Sequence, residues 1–211
     1  MDWQGVGHDG STFREQVAAS PGWYWVCRPL QLGPGSFDPA QPIVMPVWVD
    51  EEGQIHSPLT DLASLDESAL LCPSQTPGAR YETFFAGPVH PGALAGRLRA
   101  PESDDAPIGW MPDTLGWHWC RTHGPLQHVD QDGVGPVFMA RSAKGEVCVY
   151  AASTPAGQAV DIFEIGFTEP LVTRWGVIDA TGEAGRREAE FFGPIAAPTT
   201  APPAFPLIQG D

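Results

Sequence analysis

The chain has 211 residues, a formal net charge of −15, 42% hydrophobic residues and 18% charged residues, a balance that excludes disorder by composition and allows a buried core. Eleven Lys and Arg against 26 Asp and Glu exclude a broad basic footprint for nucleic acid. No run approaches the roughly 20 apolar residues that span a bilayer, and Met1-Asp2-Trp3-Gln4-Gly5 has neither the basic nor the apolar stretch of a secretory signal.

Glycine (24) and proline (23) are well above average usage, which breaks helices and favours short strands with many turns. In chain order, Thr12 with Glu15 has capping-box spacing and starts a helix predicted over Thr12–Ala19. Trp23–Arg28 alternates large rings with other residues, the period-2 pattern of a strand with one buried face. Strands follow over Val44–Val49 and Gln54–Ser57, joined by Asp50-Glu51-Glu52-Gly53, where glycine supplies the positive φ of a hairpin. Leu62, Leu65 and Ala69 lie at helical spacing after an Asp61 cap, so a helix is expected over Asp61–Leu71. Phe84-Phe85-Ala86-Gly87-Pro88-Val89 reads as a closing strand ended by proline, and Pro91–Leu98 as a short helix with proline near its N-terminus. An acidic linker, residues 101–107, puts a boundary near residue 110.

Beyond it the pattern returns. Gly22-Trp23-Tyr24-Trp25-Val26-Cys27-Arg28 recurs as Gly116-Trp117-His118-Trp119-Cys120-Arg121. Pro46-Val47-Trp48-Val49 and Gly53 recur as Pro136-Val137-Phe138-Met139 and Gly145, and the closing segment as Phe191-Phe192-Gly193-Pro194-Ile195. Three features in one order point to an internal duplication. Strands are predicted at Trp117–Arg121, Val137–Arg141 and Glu146–Ala151. Val160–Phe167 and Leu171–Asp179, separated by Thr168-Glu169-Pro170, read as an added hairpin. The Pro-rich stretch Ala196–Pro206 should be extended. The fold expected is mainly β, with two tandem, related small antiparallel domains, 1–109 and 110–211, and a few short helices.

Cys27, Cys72, Cys120 and Cys148 are too dispersed for a disulfide scaffold and read as reduced thiols of a cytoplasmic protein. Cys120, His123 and His128 have usable zinc-ligand spacing, with His118 and Cys148 nearby. There is no second Cys-x-x-Cys or Cys-x-x-His pair, and Tyr24 replaces His118 in the first copy, so these histidines read as satisfied or exposed. A Cys120–His nucleophile is the thiol alternative. No nucleophile elbow or phosphate loop occurs, and no catalytic residue or cofactor is assigned.

The acidic residues Asp50, Glu51, Glu52, Glu102, Asp104 and Asp105 form loop clusters, and the acidity is heavier in the first half. Their ordinary role is solubility. The alternative is steering toward a basic partner surface. Trp48, Trp110 and Trp175 are the candidate contact aromatics.

The repeat resembles short uncharacterised phage and prophage proteins that read Gly-x-Tyr-Trp-Val-Arg, then a Pro-Val strand, a Gly turn and a closing Phe-Gly-Pro. The matching residues are Gly22, Tyr24, Trp25, Val26, Pro46, Val47, Gly53, Phe85, Gly87 and Pro88, and in the second copy Gly116, Trp119, Pro136, Val137, Gly145, Phe192, Gly193, Pro194 and Ile195. The resemblance covers about half the chain and carries no catalytic residue. It implies a non-enzymatic accessory protein that binds a host protein, plausibly inhibiting an antiviral defence complex by acidic mimicry, with no membrane and no direct nucleic-acid contact. The alternatives are a binder of a small molecule, nucleotide or sugar, in a pocket between the two units, and a metal or thiol enzyme.

Overall fold

The computed structural model describes residues 1–7, 10–17, 20–33, 35–56, 70, 72–91, 97–98, 115–122, 134–145, 147–160, 164–165, 171–173, 176–178, 189–198 and 205–209. Its elements in chain order are β1 (Gln4–Gly5), α1 (Ser11–Val17), β2 (Gly22–Gly33), β3 (Ser36–Val49), β4 (Ile55–His56), β5 (Cys72–Pro73), β6 (Ala79–Tyr81), β7 (Phe84–Val89), β8 (Arg97–Leu98), β9 (Gly116–Thr122), β10 (Val134–Arg141), β11 (Val147–Tyr150), β12 (Glu164–Ile165), β13 (Leu171–Thr173), β14 (Gly176–Ile178), β15 (Ala189–Phe192) and β16 (Leu207–Gln209). The fold is mainly β, and every pairing among these strands is antiparallel.

One sheet runs β1-β7-β2-β3-β4 and a second β12-β11-β10-β9-β15-β8. The segments that correspond in sequence occupy matching strands: β7-β2-β3-β4 in the first sheet has the order of β15-β9-β10-β11 in the second. A small third sheet, β16-β6-β5, ties the end of the described chain to its first half through Leu207↔Tyr81 and Gln209↔Ala79. Phe205, just before β16, lies 6.0 Å from Phe84.

The strand at Trp23–Arg28 is buried on both faces, not on one. Tyr24 and Phe85 pack against Phe13 of α1, with centroids 5.5 and 4.9 Å away. On the other face, Trp25 meets Trp117 of the second sheet at 4.6 Å. The rings at alternate positions therefore serve two different layers, and period 2 does not report a solvent side. Both hydrophobic clusters draw residues from both main sheets.

Proline is tolerated in β3 by the geometry of its outer edge. Residues 44, 46 and 48 direct their N–H groups away from β2. Val44 N donates to Ser153 O at 2.6 Å and Trp48 pairs with His56, so the missing donor of Pro46 falls between the two partners of that edge.

Three expected elements differ. Arg97–Leu98 is not helical but forms β8, pairing with Phe191 and Phe192, because a sheet edge was available that no local pattern reveals. The added hairpin is not formed by 160–167 with 171–179: Glu164 and Ile165 pair with β11, and β13 pairs with β14 inside the second segment. β7 continues past Gly87–Pro88 to Val89, which pairs with Trp23 across a register shift. The bulge absorbs the proline that was expected to end the strand. The helix expected over Thr12–Ala19 is seen as α1, Ser11–Val17, with Phe13 and Val17 buried one turn apart; residues 18 and 19 lie outside the described residues. The expected Asp61–Leu71 helix and the 101–107 linker lie outside the described residues apart from Leu70.

Candidate functional site

A concavity lies where the two main sheets meet. Its volume is about 600 Å³. The floor is Trp117 and Phe138, with ring centroids 5.3 Å apart, beside Val44 of the first sheet. One wall is residues 153–157 and the other is residues 195–198, with Leu115 at the lip.

Each wall is pinned by backbone bonds. Ser153 exchanges two with Val44, N to O at 2.9 Å and O from N at 2.6 Å, which fastens this segment to β3. Residues 154–158 then turn back on themselves: Thr154 N donates to Gln158 O at 2.8 Å and Gly157 N to Thr154 O at 2.9 Å. The opposite wall is held by Ile195 N donating to Trp117 O at 2.8 Å. The indole N–H of Trp117 donates to Ser153 Oγ at 3.3 Å, and that hydroxyl donates to Thr154 O at 3.0 Å. The ring is thereby fixed in place.

None of the described residues lining the groove is ionisable. The site offers an aromatic, apolar floor and a rim of peptide and hydroxyl groups. That chemistry suits binding of an uncharged ring or chain, with orientation set by a few hydrogen bonds. Among its described residues it offers no group that titrates near neutral pH.

The candidates named from sequence that fall on described residues lie elsewhere. Asp50 caps its own turn: its carboxylate accepts from Gln54 N at 2.8 Å and contacts His56 Nε2 at 2.7 Å. Burial raises the pKa of this carboxyl, but the bonds from His56 and the backbone outweigh it and hold it below the ordinary value. Glu51 and Glu52 are exposed at the same turn. Trp48 is only half-buried as a whole, yet its indole nitrogen is buried and its ring lies 5.5 Å from Trp23, so it belongs to the rim of the core. Trp110, Trp175, Glu102, Asp104, Asp105, His123 and His128 lie outside the described residues.

Cys120 is buried on β9, paired with Gly135 on one side and Phe191 on the other. Among the described residues no group of three or more His, Cys, Asp or Glu could hold a metal ion. The four cysteines form no disulfide. Burial pushes the Cys27 thiol up to about 12, which makes it a core residue rather than a nucleophile. His118 is fully buried, with Nδ1 3.0 Å from Gly116 O and Nε2 without a hydrogen-bond partner.

The groove was not foreseen in its details. Thr154-Pro155-Ala156-Gly157 carries a turn signal that could have marked its wall. Its attachment to Val44 is a contact across more than a hundred residues and has no local signature. No helix among the described residues is long and apolar enough to cross a membrane. Comparison with known protein families, with characterised proteins and with solved structures finds no match.

Proposed function

We propose that the protein is a non-enzymatic binding protein and that the groove floored by Trp117 and Phe138 takes a neutral, ring-containing small molecule such as a nucleobase or a sugar. The observation that carries this reading is a groove of about 600 Å³ whose described lining residues are all uncharged. That volume is within the range of small-molecule sites. The lining disfavours phosphate groups, so nucleobases and nucleosides fit it better than nucleotides.

The test is a thermal-shift panel of neutral nucleobases, nucleosides and mono- and disaccharides. A ligand at 100-fold over its Kd stabilises by about 2.7 kcal/mol. The shift should disappear in Ala196→Trp, which fills the exposed lip without touching the core. A flat response across the panel, with no binding by calorimetry, overturns the assignment.

A second reading rests on the net charge of −15 and on the exposed pair Glu51 and Glu52. In it the protein is a cytoplasmic phage or prophage accessory factor whose acidic surface engages a basic host protein, a component of an antiviral defence. The matching strand orders of the two main sheets support the accompanying idea of an internal duplication. Because Asp50 is part of the turn, the informative variant is Glu51→Lys with Glu52→Lys. A salt-sensitive partner that binds this variant as well as the parent chain removes the charge-based reading.

A further inference from the structure

His118 stands behind the floor of the groove. Trp117 lines that floor, and His118, the next residue of β9, points to the opposite face of the sheet. There it is fully buried. Nδ1 lies 3.0 Å from Gly116 O, and a carbonyl oxygen only accepts, so Nδ1 carries the proton of the neutral ring. Nε2 is left with a lone pair and no hydrogen-bond partner. Cδ2, the ring atom bonded to Nε2, lies against Gly193: a Cβ there would be 2.9 Å from it, and glycine, at φ +145°, allows this approach.

The groups around the ring are uncharged. On its face β9 adds Cys120, the flanking β10 adds Val137 and Met139, and β15 adds Phe191. β14, which also approaches β9, consists of Gly176, Val177 and Ile178. Arg121 is on the other face, 5.5 Å from the centre of the Phe192 ring. Among the described residues the Cys120 thiol is thus the one titratable group on this face beside His118, and no carboxylate there could hold an imidazolium. Burial lowers the pKa of the ring in spite of the Gly116 carbonyl. A second proton, on Nε2, would be a buried charge without an acceptor, which is expensive until water reaches it.

The chain against that edge of the ring is half-buried at Gly193, so moving it gives the imidazole a way to water. Two residues on, Ile195 belongs to the groove wall and is pinned by its N–H to Trp117 O at 2.8 Å. Gly116, whose carbonyl holds Nδ1, lines the groove as well. One stretch of chain therefore covers the imidazole on one side of the sheet and shapes the groove on the other. We propose that His118 is a proton-operated latch on the groove: when it takes a second proton, residues 193–198 leave the ring, the Ile195–Trp117 bond opens and the groove loses its wall. The consequence for binding rests on the groove being the binding site; the movement of the wall does not.

The full chain is labelled with deuterium across the range from neutral to mildly acidic pH, with labelling times scaled for intrinsic exchange, and peptides covering Ile195 and Val44 are read by mass spectrometry. An open state in which His118 has its ordinary pKa of about 6.5 gains on the closed state as pH falls, by up to about tenfold between about pH 7.5 and 5.5. Protection at Ile195 should fall by about three- to tenfold over that interval, while Val44, bonded to Ser153 on the opposite wall, keeps its protection. His118→Gln, which can still donate to Gly116 O but takes no proton, should abolish the fall. His118→Phe gives the same comparison should that variant not fold. A smaller fall at Ile195, an equal fall at Val44 or an undiminished fall in the variant overturns the latch. This readout needs no ligand. A compound from the thermal-shift panel that does not itself titrate in this range should bind the parent chain more weakly at the lower pH by the same factor, and bind the variant equally at both. Equal affinity in the parent chain overturns the link to the groove. A flat panel removes the binding reading and leaves the exchange data to decide the latch.

Discussion

Gly87→Ala tests the close packing of the first sheet. Gly87 has φ +151°, a conformation that L side chains rarely adopt. A Cβ placed there would lie 2.8 Å from Tyr24 Cδ1, 3.1 Å from Trp23 O and 3.2 Å from Tyr24 Cα. Two of these three atoms are backbone of the central strand, and Tyr24 is fixed by its own bond to Ser20 O at 2.6 Å, so nothing nearby can yield cheaply. Strained backbone costs about 1–3 kcal/mol and overpacking about 1–3 kcal/mol. We therefore expect about 3 kcal/mol of destabilisation or more. Gly53→Ala is the control: φ is +77°, but the space is open, so only the conformational cost of about 1 kcal/mol applies. Urea unfolding followed by tryptophan fluorescence should separate the two variants by about 2 kcal/mol. Equal losses, within about 0.5 kcal/mol, would show that Gly87 is not held against β2 as described.

Four further outcomes are expected. Burial lowers the His118 pKa in the folded state, partly offset by the Gly116 carbonyl, so the unfolded chain binds the extra proton first; stability should fall as pH drops below about 6.5, and His118→Phe should flatten that slope in denaturation series at pH 5 and 7.5. Asp50 has a lowered folded pKa, so its contribution is present above the ordinary carboxyl range and is lost as pH falls through the folded value; Asp50→Asn should reduce the acid sensitivity of the 50–56 turn, read by hydrogen exchange. Cys148 is the one cysteine that is not fully buried, so mass-spectrometric mapping should find it alkylated first in the native protein, with Cys27 and Cys72 labelled only on unfolding. Ser153→Ala leaves the Trp117 indole N–H without its acceptor and should cost about 1–3 kcal/mol in chemical denaturation.

The amino-acid sequence by itself determined the β class and the placement of most central strands. Trp23–Arg28, Val44–Val49, Trp117–Arg121 and Val137–Arg141 are rich in aromatic and β-branched residues and lie within strands of the structure. The glycines at 53 and 145 mark turns because both need positive φ, a constraint that acts within a few residues. Helix α1 was legible for the same reason, through its cap spacing and its two buried residues one turn apart.

Tertiary structure decided everything that depended on which face meets which. Trp25 and Trp117 look like any strand aromatics in sequence, yet they join the two sheets. Arg28 reads as the polar end of a strand, but β2 and β3 run on to Gly33 and back from Ser36, and Phe37 and Cys72 lie beside it. The groove arises because Ser153 bonds to Val44, far away along the chain. Local propensity acts through neighbouring dihedral angles and side chains. Burial, charge pairing and concavity depend on partners distant in sequence, which the one-dimensional pattern does not specify.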